Sequence, residues 1–258
     1  MAKWLLVGTL LLALCGLTGG ERMPEQTFTI YYGAASDAVV DQLSDRALAI
    51  IEPNGWQAAQ VQALEDRGTQ TFGYVNVMEQ EPAYDLPAES ALQVNGKQVP
   101  IPKWDTYMLD LRRSEVQAAL SAKVARIAAS GYTGVFLDTV GDIDDYLTEA
   151  PRVQTAQRQA LTDWLTRMHA AYPDLKWWQN RGFETYTAAT EGVVSMVLWE
   201  DFNAETVAND SWSQRWLSEL RRRPVQLLAV CPDAASQRAA ETAGMTTTVN
   251  ANDVYDHL

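Results

Sequence analysis

Short apolar runs alternate with amphipathic stretches along most of the chain. Read as buried strands, the runs cover residues 27–33, 48–53, 71–79, 134–140, 176–180, 195–202, 225–230 and 245–250. Helices are predicted between them, over 36–46, 57–66, 114–130, 155–171, 183–190, 211–222 and 235–243. The clearest is 114–130, where Val116, Leu120, Val124 and Ile127 recur at three- and four-residue spacing and Gly131 stops the run. Ser36 with Asp37 offers a helix start, and Gly68 a helix stop. The pattern lapses over 80–106, which holds Pro82, Pro87, Pro100 and Pro102 around an Asn95-Gly96 turn signal. A loop of that length is usually functional, and 92–94 can pair with 98–101 as a hairpin. A short extended piece follows at 107–111.

Strands separated by helices imply a parallel sheet. Eight of them in 258 residues suit one (β/α)8 TIM barrel, typically about 250 residues long. An open doubly wound sheet is the alternative. No repeat, low-complexity tract or linker divides residues 24–258, so a single domain is expected there.

The first 20 residues stand apart. Lys3 precedes an apolar run from Trp4 to Leu14, followed by small residues to Gly20. That is the plan of an export signal, too short to span a bilayer as a stable helix. Leu12-Ala13-Leu14-Cys15 resembles a bacterial lipobox, with Leu14 where a small residue is usual. A cleaved signal and a lipid anchor at Cys15 both stay open, and an exported or cell-surface location is expected either way. No other stretch is apolar enough for a membrane span. Oligomeric state has no signal in the sequence.

Charge narrows the partners. Thirty-three acids against 20 bases give a formal charge of −13, which disfavours nucleic acid. An acidic surface suits a neutral or cationic ligand. Nine tryptophans and ten tyrosines supply rings of the kind that stack on sugars, though most such rings serve as core.

Inventory removes several chemistries. Only His169 and His257 are present, so no Ser-His-Asp triad or histidine-rich zinc site can form. Nucleotide-binding glycine loops are missing, and no cofactor or metal is expected. Asp142, Asp144 and Asp145 lack the spacing of a calcium loop and read as a solvated acidic turn. Cys231 lies in an apolar run and reads as core.

Carboxylates remain. GVFLDTV ends near Asp138 and VSMVLWEDF near Glu200. In an α/β barrel the C-terminal strand ends carry the chemistry, and two acids are the minimum set for cleaving a glycosidic bond. Trp199 and Asp201 flank Glu200 and would raise its pKa, whereas Thr139 offers Asp138 a donor that would favour the ionised form. The expected roles are Asp138 as nucleophile and Glu200 as acid/base. Tyr31, Tyr32, Glu52, Tyr74, Asn76, Glu79, Asp110, Gln179, Asn180, Asn250 and Asp253 also lie near strand ends, which suggests a polar cleft. Cationic sugars would need carboxylates such as Glu52, Glu79 or Asp253 free of arginine. A glycosidase for another polysaccharide, or a barrel that binds sugar without turnover, are the alternatives.

FGYVNVME over 72–79, the block 109–140 ending in Asp138, QNRGFE over 179–184 and the strand ending in Trp199-Glu200 together resemble glycoside hydrolase family 114. Those are endo-α-1,4-polygalactosaminidase-like barrels. The resemblance implies a (β/α)8 fold and hydrolysis of an α-1,4-linked galactosamine-rich polymer with retention of configuration. Asp138 and Glu200 fall on the family's catalytic acids. Tyr74, Asp110 and Asn180 look like its sugar contacts, and Trp104 like a stacking platform; Asn76 and Glu52 are expected to bind substrate from their places near strand ends. Strands one and two depart from the family pattern at Tyr31-Tyr32-Gly33 and Glu52-Pro53-Asn54-Gly55.

Overall fold

A computed structural model describes residues 28–252 and 254–256. The proposed export signal, Cys15 and Asp253 lie outside them. In chain order the elements are β1 (Phe28–Tyr31), α1 (Asp37–Leu43), β2 (Leu48–Ile51), α2 (Ala58–Glu65) and β3 (Gln70–Asn76). The long loop holds β4 (Gln93–Val94), β5 (Lys97–Gln98), β6 (Pro100–Ile101) and β7 (Thr106–Tyr107). Then come α3 (Ser114–Ala129), β8 (Gly134–Asp138), α4 (Asp142–Tyr146), α5 (Pro151–Ala171), β9 (Lys176–Asn180) and α6 (Phe183–Thr185). The chain finishes with β10 (Met196–Trp199), α7 (Ala204–Asn209), α8 (Ser211–Leu220), β11 (Gln226–Cys231), α9 (Ala234–Thr242) and β12 (Thr246–Val249).

Eight strands form one sheet in the order β1-β2-β3-β8-β9-β10-β11-β12. Every pairing in it is parallel. β12 returns beside β1, which nearly closes the (β/α)8 barrel expected from the sequence. No hydrogen-bonded register joins these two strands among the described residues. Just beyond them, the Tyr32 N–H donates to the Tyr255 carbonyl at 2.6 Å, bringing the end of the chain across the top of β1.

Two apolar layers follow from the period-two alternation of a strand. Phe28, Ile30, Leu48, Ile50, Phe72, Phe136, Trp178 and Leu198 fill the barrel, with the Phe72 and Trp178 rings stacked 3.4 Å apart between centroids. Val75, Val135, Leu137, Trp177, Val197 and Trp199 face outward beneath the helices. Gly73 lets α3 come close, because a Cβ there would stand 2.6 Å from Ile127 Cγ1.

The differences from the sequence reading are local. α5 starts at Pro151, four residues before the expected 155, because proline suits a first helical turn. Asp142, Asp144 and Asp145 form the short helix α4 instead of a loose acidic turn. The expected hairpin pairs Gln93 with Gln98 and Val94 with Lys97. A second ladder, Pro100 with Tyr107 and Ile101 with Thr106, folds the rest of the loop back on itself.

Candidate active site

The inward alternation continues past the apolar layers to the strand ends. On β3 it runs Phe72, Tyr74, Asn76; on β8, Phe136, Asp138; on β9, Trp178, Asn180; and past β10, Leu198, Glu200. Register sets the heights. Asn76 pairs with Asp138, Leu137 pairs with Gln179, and Leu198 pairs with Asn180. Asp138 and Asn180 therefore share a layer, and Glu200 stands one inward step above it.

Each of the three functional strand ends turns sharply in the same way. Thr139, Arg181 and Asp201 follow Asp138, Asn180 and Glu200, and have φ of 62°, 47° and 59°. For side-chain-bearing residues that left-handed region costs on the order of 1–3 kcal/mol each. At Thr139 hydrogen bonds offset the cost. Its Oγ1 accepts from the N–H groups of Val77 at 3.1 Å and Met78 at 2.9 Å, and lies 2.8 Å from Asn76 Oδ1. The Thr139 hydroxyl thus serves the backbone and Asn76, not the Asp138 carboxylate as its sequence position suggested.

The donor to Asp138 is Asn180. Its Nδ2 gives one hydrogen bond to Asp138 Oδ1 at 2.8 Å and another to Glu200 Oε2 at 2.7 Å. Those two oxygens can then be no further apart than the sum of the bond lengths, about 5.5 Å. The Tyr255 hydroxyl donates to Glu200 Oε1 at 2.9 Å. Asn180 Oδ1 is buried without a donor.

Burial holds the Glu200 carboxyl above its ordinary range, and the charge of Asp138 adds to this. The bonds from Asn180 and Tyr255 pull the other way, and Asp201 contributes least. Trp199 plays no direct part, since its ring faces outward against Phe183, Phe202 and Trp212. The phenols of Tyr74 and Tyr32 are pushed far up, by burial first and by Asp138 next. Both phenols keep their protons at neutral pH.

These groups floor a cleft of about 830 Å³. Carboxylates lining it are Asp138, Glu200, Glu79, Glu81, Asp142, Asp145, Asp201 and Asp256, against the cations Lys103 and Arg181. Glu79 and Asp142 sit carboxyl to carboxyl. Burial, with Asp138 and Glu81 nearby, raises Glu79 to about 7. Burial, with Glu79 and Asp138, raises Asp142 to about 8. Both carboxyls are thus held toward their protonated forms.

The sequence-predicted residues divide as follows. Tyr74, Asn76, Trp104, Asp138, Asn180 and Glu200 all line the cleft. Trp104 is 62% exposed on its rim, with Lys103 Nζ 4.8 Å from the ring. The Asn76 Oδ1 atom is committed to Thr139 and to the Glu79 N–H. Asp110 and Glu52 are not among the lining residues. Arg112 binds Asp110 through two nitrogens, at 2.8 and 2.7 Å, and Gln157 adds a bond at 2.8 Å. These bonds, opposed by burial, hold the Asp110 carboxyl low. Glu52 caps the Asn54 N–H at 3.1 Å and meets Lys123 Nζ at 3.4 Å. Glu81, Asp145, Tyr146 and Tyr255 line the cleft and were not singled out from the sequence as site residues.

Two acids about 5.5 Å apart or closer, one held toward its protonated form, can attack a sugar carbon and protonate the departing oxygen. Comparison with solved structures gives the same architecture. The glycoside hydrolase domain of PelA from Pseudomonas aeruginosa superposes with a TM-score of 0.74 at 23% identity, over 90% of this chain and 96% of that one. Ega3 from Aspergillus fumigatus, solved in complex with galactosamine, gives 0.63 at 12% identity, over 88% and 91%. An alpha-galactosidase from Thermus thermophilus gives 0.54 at 13%, over 90% of this chain and 59% of that one. At such identities the likeness concerns the fold. No curated protein matches the sequence. The model of glycoside hydrolase family GH114 matches residues 18–212, more than half of the chain. The protein is therefore a glycoside hydrolase, and it belongs to family GH114.

Proposed function

We propose that the chain hydrolyses an α-1,4-linked, galactosamine-rich polysaccharide with retention of configuration, outside the cytoplasm. The observation that carries the reaction is the Asn180 bridge, which keeps the carboxyl oxygens of Asp138 and Glu200 within about 5.5 Å. Retaining glycosidases hold their acids about 5–5.5 Å apart, and inverting ones about 6.5–9.5 Å.

In the first step an Asp138 oxygen bonds to the anomeric carbon as the glycosidic C–O bond breaks. The Glu200 proton goes to the leaving oxygen. In the second step the Glu200 carboxylate takes a proton from water, the water oxygen bonds to the anomeric carbon, and Asp138 is released. Glu200 ends protonated, as it began. The raised Glu200 pKa suits the acid role, and the Asn180 donor holds the Asp138 carboxyl in place for attack.

The acid-rich lining supports a cationic amino-sugar polymer, as does the likeness to Ega3, which was solved with galactosamine. Export is proposed on residues 1–20. Digestion of partially deacetylated galactosaminogalactan, with masses of the products and the anomer first released read by NMR, tests the reading. Retained α-anomers of galactosamine-containing oligomers are expected. The β-anomer would overturn retention, neutral products alone would overturn the substrate, and binding without cleavage would make the chain a sugar-binding barrel.

A further inference from the structure

Helix α3 carries a lysine on the face that meets the barrel. Lys123 lies in the buried stripe formed by Val116, Leu120, Val124 and Ile127, and is 2% exposed. A buried ammonium needs compensating partners. Nζ has Glu52 Oε2 at 3.4 Å and Glu81 Oε2 at 3.7 Å. It also lies 5.1 Å from the centre of the Tyr74 ring and 5.7 Å from that of Tyr84. Close charge-assisted bonds run about 2.7–2.9 Å, so the cation is shared among these groups and not docked on one.

Its contacts lead to Asp138 by separate routes. Tyr74 presents its ring to Lys123 and lines the cleft together with Asp138. Asn76 Oδ1 accepts from the Thr139 hydroxyl at 2.8 Å. Thr139 is the left-handed residue that turns the chain after Asp138. Tyr84 donates its hydroxyl to the Asn76 carbonyl. Lys123 itself is not among the residues lining the cleft.

We infer that Lys123 is a positioning residue for the hydrolytic reaction, a buried cation that fixes Tyr74, Glu81 and, through Tyr84, Asn76, so that Asp138 stays aimed at the anomeric carbon. This rests on Asp138 as nucleophile. Removing the ammonium leaves the half-buried Glu81 near Glu52 and Asp138 without the cation that offsets their repulsion. Glu81 must then protonate or swing out, and Asn76 and Thr139 lose their hold.

Lys123→Met keeps most of the aliphatic stem and removes the charge, which separates positioning from packing. Glu81→Gln removes the acid that the cation compensates. The two variants and their combination are compared with the wild type on a galactosamine oligomer, with melting curves recorded for each. Lys123→Met is expected to lose about 10²-fold in kcat, the scale of an ångström-sized misplacement, with KM changed less than about threefold. The double variant is expected to regain at least about tenfold of that loss, because no uncompensated Glu81 remains. Should Lys123→Met fail to fold, the double variant should still fold and turn over within roughly tenfold of Glu81→Gln. A wild-type kcat in folded Lys123→Met, a change confined to KM, or a double variant that is as impaired as the single or fails to fold would overturn the inference. Failure of the underlying reading looks different: an inactive wild type, or an active Asp138→Asn.

Discussion

Asp138 and Glu200 accept hydrogen bonds from one and the same nitrogen, Nδ2 of Asn180. Equal placement does not make the two acids equal in role. Replacing each by its amide keeps the shape and removes the titrating proton. Asp138→Asn should lose several orders of magnitude in kcat, since covalent attack goes with it. Glu200→Gln should lose roughly 10²–10⁴-fold, the usual contribution of a positioned proton donor. A substrate with a good leaving group needs no protonation, so it should restore the first step in Glu200→Gln alone. Rescue in Asp138→Asn instead would reverse the roles, and near-full activity in both would move the chemistry elsewhere.

Asn180 should matter beyond holding sugar. Its bond lowers the pKa of Glu200 against the larger upward push of burial and Asp138. Asn180→Ala removes that bond, so Glu200 should hold its proton to higher pH. The acid must be protonated to act, so the basic limb of kcat/KM should move upward. Losing hydrogen bonds to charged groups, each about 1.5–3 kcal/mol, should lower kcat by roughly 10- to 100-fold or more. A basic limb that stays in place or moves downward would contradict the bridge.

Legibility in the sequence followed the range of the interaction. Strands such as 134–140 were readable because an apolar run bounded by turn residues is a local signal. Asp138 and Glu200 were readable because each ends such a run. The bridge between them depends on register across β8, β9 and β10, which no single segment contains. Glu52, expected as a free cleft acid, and Asp110, expected as a sugar contact, are instead taken up by Lys123, and by Arg112 and Gln157, which lie on other segments or out of the local pattern. Tyr255 reaches Glu200 across 55 positions, beyond any local pattern. Lys123 did leave a trace, a charge set inside the apolar stripe of 114–130, but a long side chain at such a position often reaches water.

Trp104 should contribute to binding and little else. It is 62% exposed on the rim of the cleft, so its removal leaves no cavity. Loss of a stacking ring is worth about 0.5–1.5 kcal/mol. Trp104→Ala should therefore raise KM by roughly 2- to 10-fold on long oligomers, with kcat and melting temperature close to wild type. An unchanged KM across all chain lengths would remove Trp104 from the substrate path.

Export can be read by intact mass of the protein from its native host. Lys3 and the apolar run to Leu14 predict a mature N-terminus between Cys15 and Glu21. A diacylglycerol adduct on Cys15 would mark a lipoprotein. A soluble cytoplasmic form that retains Met1 would rule the signal out.

Stability should fall as pH rises through neutrality. Glu79 goes from an ordinary value of 4.5 to about 7 in the folded chain, and Asp142 from 3.8 to about 8. Both shifts are upward, so between these limits the folded chain binds more protons than the unfolded one. Linkage then gives a stability that declines with pH across that window, because the fold must ionise two carboxyls that face each other near Asp138. Glu79→Gln removes one of the pair and leaves a neutral donor for Asp142. Its melting temperature should exceed that of the wild type at pH 8, and its decline from about pH 5 to 8 should be shallower. The variant should also bind galactosamine oligomers more weakly, since one of the facing carboxylates is gone. A wild-type melting temperature that climbs steadily over that range would mean that neither acid is held toward its protonated form in the fold.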